Sequence, residues 1–300
     1  MRVAIMVNPG AGKHRAARLA ERASARLREN GHEFVLVNEA SPEAAAAALT
    51  KLLDAEAPPD TVVVAGGDGA LHNILPVVVG RDITVAMLPA GAGNDLARTA
   101  GLRTDDPDTA ITALLEGHTK QLDVIALNNG TYVATVVASG FDSKVNERAS
   151  AMTWPRGITR YNLALLAELR RFRPLTFRIV ADGNELFREA MLVAVGNTAS
   201  FGGGMRIAEG ADPADGMLDI IVIHPVSKPK LARVFPRVYR GTHTTIPEFE
   251  RIRAREVTWE SPGIIAYGDG ERLGPLPLTA RVIPGALRLI VATPRRRTGG

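Results

Sequence analysis

The sequence predicts an α/β domain followed by a β-rich domain, and three observations carry that expectation. Short β-branched runs alternate with helical stretches through residues 1–118, the pattern of a parallel, Rossmann-like sheet flanked by helices. Two glycine-rich turns, Gly66–Gly69 and Gly91–Asp95, each follow an apolar run and precede a helical stretch. Beyond about residue 125 the chain becomes closely spaced strands joined by short turns, as in an antiparallel sandwich. The expected boundaries are therefore 1–125 and 126–285, with the active site in the cleft between the two domains.

Taken in order, Arg2–Asn8 reads as a first strand and Pro9–Lys13 as a glycine turn. Gly12-Lys13 is not a P-loop, since that motif needs Gly at position 7 and Ser or Thr at 14, where Val7 and His14 stand. The following helix carries Leu19, Ala23 and Leu27 on one face. Glu33–Val37 is a second strand, and Pro42–Glu56 an alanine-rich helix with Ser41 as its N-cap. Val62–Ala65 and Ile83–Leu88 are the third and fourth strands, continuously apolar as interior parallel strands are. Asp105–Glu116 reads as a helix and Lys120–Leu127 as a strand.

In the second half the strand-like runs are Thr131–Ala138, Leu175–Asp182, Glu185–Val195, Met217–Ile223, Glu256–Glu260, Ile264–Tyr267 and Leu276–Ile283. Helical inserts are expected near 158–172 and 227–240.

Composition narrows the function. A net charge of +4 is too mild to call for nucleic acid. The absence of cysteine removes disulfide and thiol chemistry, and the scattered histidines lack zinc-ligand spacing. The N-terminus enters a strand without a signal-peptide layout, and no apolar run nears the ~18 residues of a membrane span. A cytoplasmic protein is the expectation.

The glycine turns hold the chemistry. Glycine lets a backbone approach a ligand without a Cβ in the way, and the carboxyl ends of parallel strands are where open α/β sheets bind. Carboxylates recur at turns: Asp68, Asp95, Asp123, Asp212, Asp215, Asp219, Asp269 and Glu271. Any one of them alone fits an ordinary turn residue. Asp269 and Glu271 differ because a single turn brings two acids after an apolar run. Such a carboxylate can take the proton of an acceptor hydroxyl during phosphoryl transfer.

The segments Val7–Gly12, Gly66–Gly69, Leu88–Asp95, Gly140–Asp142, Gly202–Met205, Asp212–Asp219 and Asp269–Glu271, in that order, resemble the catalytic domain of the diacylglycerol kinase family. Within it the likeness is to the soluble bacterial lipid kinases, particularly the actinobacterial diacylglycerol kinases. It implies transfer of the γ-phosphoryl group of ATP to the hydroxyl of diacylglycerol, with Mg2+, to give phosphatidic acid. It also implies a nucleotide site built from Asn8, Pro9, Gly10, Gly12, Asn38, Gly66, Gly67, Asp68, Gly69, Asn73, Gly91, Ala92, Gly93, Asn94 and Asp95. Asp68 and Asp123 match acidic positions near the phosphates and the catalytic magnesium. Asp269 or Glu271 matches the proton acceptor, with Asp269 ranked first. Asp212, Asp215 and the main-chain carbonyl of Met217 match a second, structural magnesium site. The resemblance also implies that a last strand, around 286–293, returns to the first domain.

The departures are Ala70 and Ala92, where the family usually has threonine, and Asn73 and Asn38, where Glu and Thr are usual. Two hydroxyls near the nucleotide are thus missing, each worth about 0.5–1.5 kcal/mol as a hydrogen bond. A lipid acceptor implies an anionic bilayer, met by a peripheral protein at the inner face of the membrane. Two basic stretches are candidates for that contact, with a solvated basic face over an ordinary core stripe as the alternative for either. One has Lys144, Arg148, Arg156, Arg160, Arg170, Arg171, Arg173 and Arg178 around Trp154. The other has Lys228, Lys230, Arg233, Arg237 and Arg240 beside an apolar stripe of Leu231, Val234, Phe235 and Val238. An arginine run, 295–297, adds to the charge. Two alternatives stay open: a kinase of another acceptor, a sphingoid or ceramide-like lipid or NAD, and a nucleotide-binding protein without catalysis. A homodimer also stays open.

Overall fold

The computed structural model describes residues 1–7, 14–141, 145, 147–148, 151–154, 163, 167 and 173–293. Asn8, Pro9, Gly10 and Gly12 lie outside the described residues, as do Lys144, Arg156, Arg160, Arg170, Arg171, the 295–297 run and most of the helical insert expected over 158–172. The chain divides into two compact units, Met1–Val124 with Pro284–Gly300, and Ile125–Ile283.

In the first unit, strands and helices alternate as β1 (Arg2–Val7), α1 (Arg15–Glu29), β2 (Glu33–Val37), α2 (Pro42–Leu53) and β3 (Thr61–Gly66). They continue as α3 (Asp68–His72), α4 (Leu75–Val78), β4 (Thr84–Pro89), α5 (Asp95–Thr99), α6 (Asp108–Glu116) and β5 (Thr119–Leu127). The strands β2-β1-β3-β4 pair in that order, all parallel. Every residue of β3 is buried, which is why its sequence reads as an unbroken apolar run. Helix α1 packs Leu19, Ala20, Ala23 and Leu27 inward, the 3.6-residue periodicity of its sequence. Helix α2 starts as its sequence requires: Ser41 accepts a hydrogen bond from the Ala44 amide at 3.2 Å, and Pro42 occupies the first turn. The strand order reverses direction at β1, and the crevice beyond the carboxyl ends of β1 and β3 is where such sheets bind ligands.

The second unit continues with β6 (Tyr132–Val133), β7 (Val136–Gly140), β8 (Leu175–Ala181), β9 (Asn184–Ala190), β10 (Leu192–Gly196) and β11 (Leu218–Ile223). Then come α7 (Lys228–Tyr239), a 3₁₀ turn (Thr242–Thr245), β12 (Phe249–Ala254), β13 (Glu256–Glu260), β14 (Ile265–Gly268), β15 (Glu271–Pro275) and β16 (Leu278–Ile290). One sheet runs β12-β11-β10-β7-β14-β15, antiparallel throughout. The other packs β16, β13, β8 and β9 side by side, also antiparallel. Trp259, Phe177, Val193, Val195 and Ile220 fill a shared core. The Trp259 indole donates to the Ser139 hydroxyl at 3.0 Å, so the largest core side chain has its polar atom satisfied.

Several elements differ from expectation: Thr131–Ala138 splits into β6 and β7, which lie in different sheets, and β15 was not expected. The run Glu185–Val195 breaks at Met191 into β9 and β10, which belong to different sheets. Alternating burial on β9 gives way to full burial on β10, so the two halves of the run obey different patterns. The last two expected strands are a single one, β16, which leaves the second unit at Ile283 and ends in the first beside β4. Strand β12, Phe-Glu-Arg-Ile-Arg-Ala, was not expected, because its alternating charges disguise an edge strand.

Candidate functional site

The two glycine turns of the first unit touch backbone to backbone. A Cβ on Gly91 would stand 2.5 Å from the Cα of Gly67, and one on Gly67 would stand 2.9 Å from the Cα of Gly91. Only glycine fits at either position. The parallel pairing of β3 with β4 brings the turns together, since Gly66 opposes Pro89 and the Ala90 amide donates to the Gly66 carbonyl at 2.9 Å. Asn94, in the left-handed region at φ 57°, holds the second turn. Its side chain accepts from the Gly91 amide at 2.9 Å and donates to the Gly91 carbonyl at 2.8 Å.

Asp68 joins the turns electrostatically. Its two carboxylate oxygens accept the amides of Asp95 and Leu96, each at 3.0 Å, and so cap helix α5. Asp95 is buried and ion-pairs with Arg98 at 3.4 Å. Gly67, Asp68, Gly91, Asn94 and Asp95 are therefore one assembly. Ala92, beside them, is exposed.

A cavity of about 220 Å³ lies at the ends of β1 and β3, lined by Met6, Val7, Glu39, Val64, Ala70 and Asn73. It thus gathers two positions expected to face the nucleotide, Ala70 and Asn73, together with Glu39, which the sequence did not mark, and the helix cap Ser41. The signal for Glu39 was an acid just past the end of the second strand. Asn38, its neighbour, is exposed. Asp123, buried on β5, accepts the amide of Gly285 at 2.8 Å and so fixes the bend where β16 enters the first unit.

In the second unit Asp269 sits in the turn between β14 and β15 at φ 52°, buried. Its carboxylate accepts from the Ala134 amide at 2.9 Å, the Thr135 amide at 3.1 Å and the Thr135 hydroxyl at 2.6 Å. Three donors from the chain between β6 and β7 thus fix its orientation. Glu271, two residues on, is exposed.

In the Asp212–Met217 turn the carboxylates are held by groups of the protein itself. Asp215 accepts the Met217 amide at 3.0 Å with one oxygen and ion-pairs with Arg253 through the other. Asp212 accepts the Ala214 amide at 3.1 Å. Arg253 and Arg251 also pair with buried Asp219, at 3.4 and 2.6 Å. Asp212, Asp215 and Met217, the residues that the family resemblance assigns to a structural magnesium, thus lie together in one turn. Among the described residues no cluster of three or more His, Asp or Glu side chains is placed to hold a metal.

The stripe of helix α7, Leu231, Val234, Phe235 and Val238, lines an apolar cavity of about 100 Å³ together with Phe141, Met205 and neighbouring side chains. His243 lines the same cavity. It is buried against the Phe249 ring, with Nε2 3.2 Å from the Ile207 carbonyl and no partner at Nδ1. Burial holds its pKa below the ordinary 6.5. The outer face of α7 carries exposed Lys228, Arg233 and Arg240, whereas Lys230 ion-pairs with Glu248 at 2.6 Å. Among the described residues no helix is long and apolar enough to cross a membrane.

Glycine turns at the carboxyl edge of a parallel sheet, in a chain whose second unit is a β-sandwich carrying a positioned acid, are the arrangement of a two-domain phosphotransferase. Residues 2–127 match the diacylglycerol kinase catalytic domain, and residues 135–291 match the YegS C-terminal NAD kinase beta sandwich-like domain. The chain is 41% identical over 298 residues to a diacylglycerol kinase of Mycobacterium tuberculosis, covering 96% of this chain and 94% of that one. A Bacillus subtilis diacylglycerol kinase is 27% identical over 285 residues, covering 92% and 91%. A crystal structure of a diacylglycerol kinase from Bacillus anthracis shares the fold with a TM-score of 0.74 at 22% identity, covering 97% and 96%. An ATP-bound NAD kinase from Archaeoglobus fulgidus shares it more distantly, with a TM-score of 0.52 at 12% identity and coverage of 99% and 95%. The chain belongs to the diacylglycerol kinase family, and it is a kinase.

Proposed function

We propose that this kinase transfers the γ-phosphoryl group of ATP to the free hydroxyl of diacylglycerol, giving phosphatidic acid and ADP. The observation that carries the reading is the contact between Gly67 and Gly91, which strips side chains from the sheet's binding edge and leaves main chain to meet phosphate. The cavity beside Ala70 and Asn73 then takes the nucleoside. Magnesium, when bound with the triphosphate, neutralises charge on the β- and γ-phosphates; one or two carboxylates suffice to hold it, so Asp68 and Asp123 fit that role. The acceptor oxygen attacks the γ-phosphorus as the bond to the β-phosphate oxygen breaks, and the hydroxyl proton passes to a carboxylate. Asp269 is assigned that role because its orientation is fixed; Glu271 is the alternative.

A lipid acceptor is favoured by the second unit. Its cavity under α7 is walled by apolar side chains, which suits hydrocarbon and offers little to a dinucleotide. Peripheral contact with an anionic bilayer at the inner face of the membrane draws on Lys228, Arg233 and Arg240 and on Trp154, which is 79% exposed. Vesicle flotation with and without anionic lipid tests that contact, and equal binding to both vesicles counts against it.

A second reading, NAD as the acceptor, rests on the NAD kinase-like character of the sandwich. Parallel assays with diacylglycerol in mixed micelles and with NAD in solution separate the two. Phosphorylated lipid supports the first, and NADP without lipid product replaces it with the second.

A further inference from the structure

We infer that Glu39 recognises the ribose of the nucleotide by accepting hydrogen bonds from its 2′- and 3′-hydroxyls, and so makes the site selective for ribonucleotides. This rests on the nucleotide assignment of the first unit made above.

The inference starts from position. Strand β2 ends at Val37, and Glu39 lies two residues beyond it, at the carboxyl edge of the strand paired with β1. In parallel α/β folds an acidic side chain at that edge is well placed for a ribose diol, because the neighbouring β1 and β3 ends hold the phosphates. Glu39 lines the cavity at the ends of β1 and β3, together with Ala70 and Asn73.

Polarity points the same way. The described lining is mostly apolar, with Met6, Val7, Val64 and Ile74 forming walls suited to a flat base. Its polar side chains are Glu39, Ser41 and Asn73. Ser41 already accepts the Ala44 amide as a helix cap. Glu39 makes no hydrogen bond or ion pair among the described residues, so the fold does not use its charge. An ionised carboxylate only accepts hydrogen bonds, which matches hydroxyl donors and repels phosphate oxygens. The acid therefore marks the nucleoside end of the cavity, and the triphosphate points away from it.

The test is calorimetric binding of ATP, 2′-deoxy-ATP and 3′-deoxy-ATP, without lipid, to the full chain and to its Glu39→Ala and Glu39→Gln variants. Hydrogen bonds to a charged group make the expected preference of the unaltered protein for ATP over either deoxynucleotide roughly 10- to 100-fold. Glu39→Ala should weaken ATP most and each deoxynucleotide by a smaller factor, since each keeps one of the two hydroxyls, so that the preference for ATP is lost; Glu39→Gln should fall between, because its amide keeps one acceptor. Glu39 is exposed, so unchanged thermal melting is expected of both variants. Equal affinity of the unaltered protein for all three nucleotides overturns the assignment of Glu39 alone. So does uniform weakening of all three by Glu39→Ala. Failure of the unaltered protein to bind any of them overturns the nucleotide site itself, and this inference with it.

Discussion

Gly91 and Gly67 approach so closely that a single methyl group on Gly91 would lie 2.5 Å from the Cα of its partner. Because the obstacle is main chain, no rotamer change relieves it. Gly91→Ala is expected to push the two turns apart, at a cost of about 1–3 kcal/mol in stability. Urea denaturation reads the stability and calorimetry reads ATP binding, which should be lost. Unaltered binding would mean that the contact between the turns is incidental to the nucleotide.

Asp269 and Glu271 share one turn but differ in setting: the first is buried and held by three donors, the second exposed. Asp269→Asn is expected to lower kcat by about 10²–10⁴-fold with ATP affinity nearly unchanged, whereas Glu271→Gln should keep most of the activity. The reverse outcome in steady-state kinetics would assign proton acceptance to Glu271 and leave Asp269 as the residue that shapes the turn. Thr135→Val separates positioning from chemistry. It removes one hydroxyl donor to Asp269 and should cost stability by about 1.5–3 kcal/mol without abolishing turnover.

Ala92 stands where a threonine hydroxyl is usual in the family, and it is exposed with an unstrained backbone. Ala92→Thr should therefore fit without rearrangement and restore one hydrogen bond to the nucleotide. The expected gain is about 0.5–1.5 kcal/mol, or roughly 2- to 12-fold in the Kd for ATP. No change in Kd would show that the triphosphate does not pass this side of the turn.

His243 gives the second unit a pH dependence. Burial lowers its folded pKa, with a smaller contribution from Arg237, while Ile207 and Glu209 act in the other direction. Near pH 6.5 the unfolded chain takes up a proton that the folded chain refuses, so stability is full above that value and falls as pH drops through the lowered folded pKa. Melting temperatures between pH 8 and pH 5 should decline less steeply for His243→Leu than for the unaltered chain. Identical slopes would show that the imidazole is solvated.

What the sequence made legible is local. The glycine turns after β-branched runs, the Ser41 cap and the change of texture near residue 125 all rest on neighbours within a few positions. The hidden features are contacts between distant segments. Asp68 looks like a free turn carboxylate until the pairing of β3 with β4 brings it under the amides of Asp95 and Leu96. Asp215 looks like a turn carboxylate alone until the pairing of β11 with β12 sets Arg253 beside it. The apolar stripe of α7 has the same periodicity whether it faces a bilayer or a cavity, and only packing shows that it lines a cavity.

The central claim is phosphoryl transfer from ATP to a diacylglycerol hydroxyl. The most direct test is an assay with ATP labelled at the γ-phosphate, magnesium and mixed micelles of diacylglycerol, ceramide or a sphingoid base, alongside NAD in solution. Labelled phosphatidic acid as the dominant product, lost on chelation of magnesium, is the expected result. Label in NADP alone, or in no acceptor while ATP still binds, would contradict it.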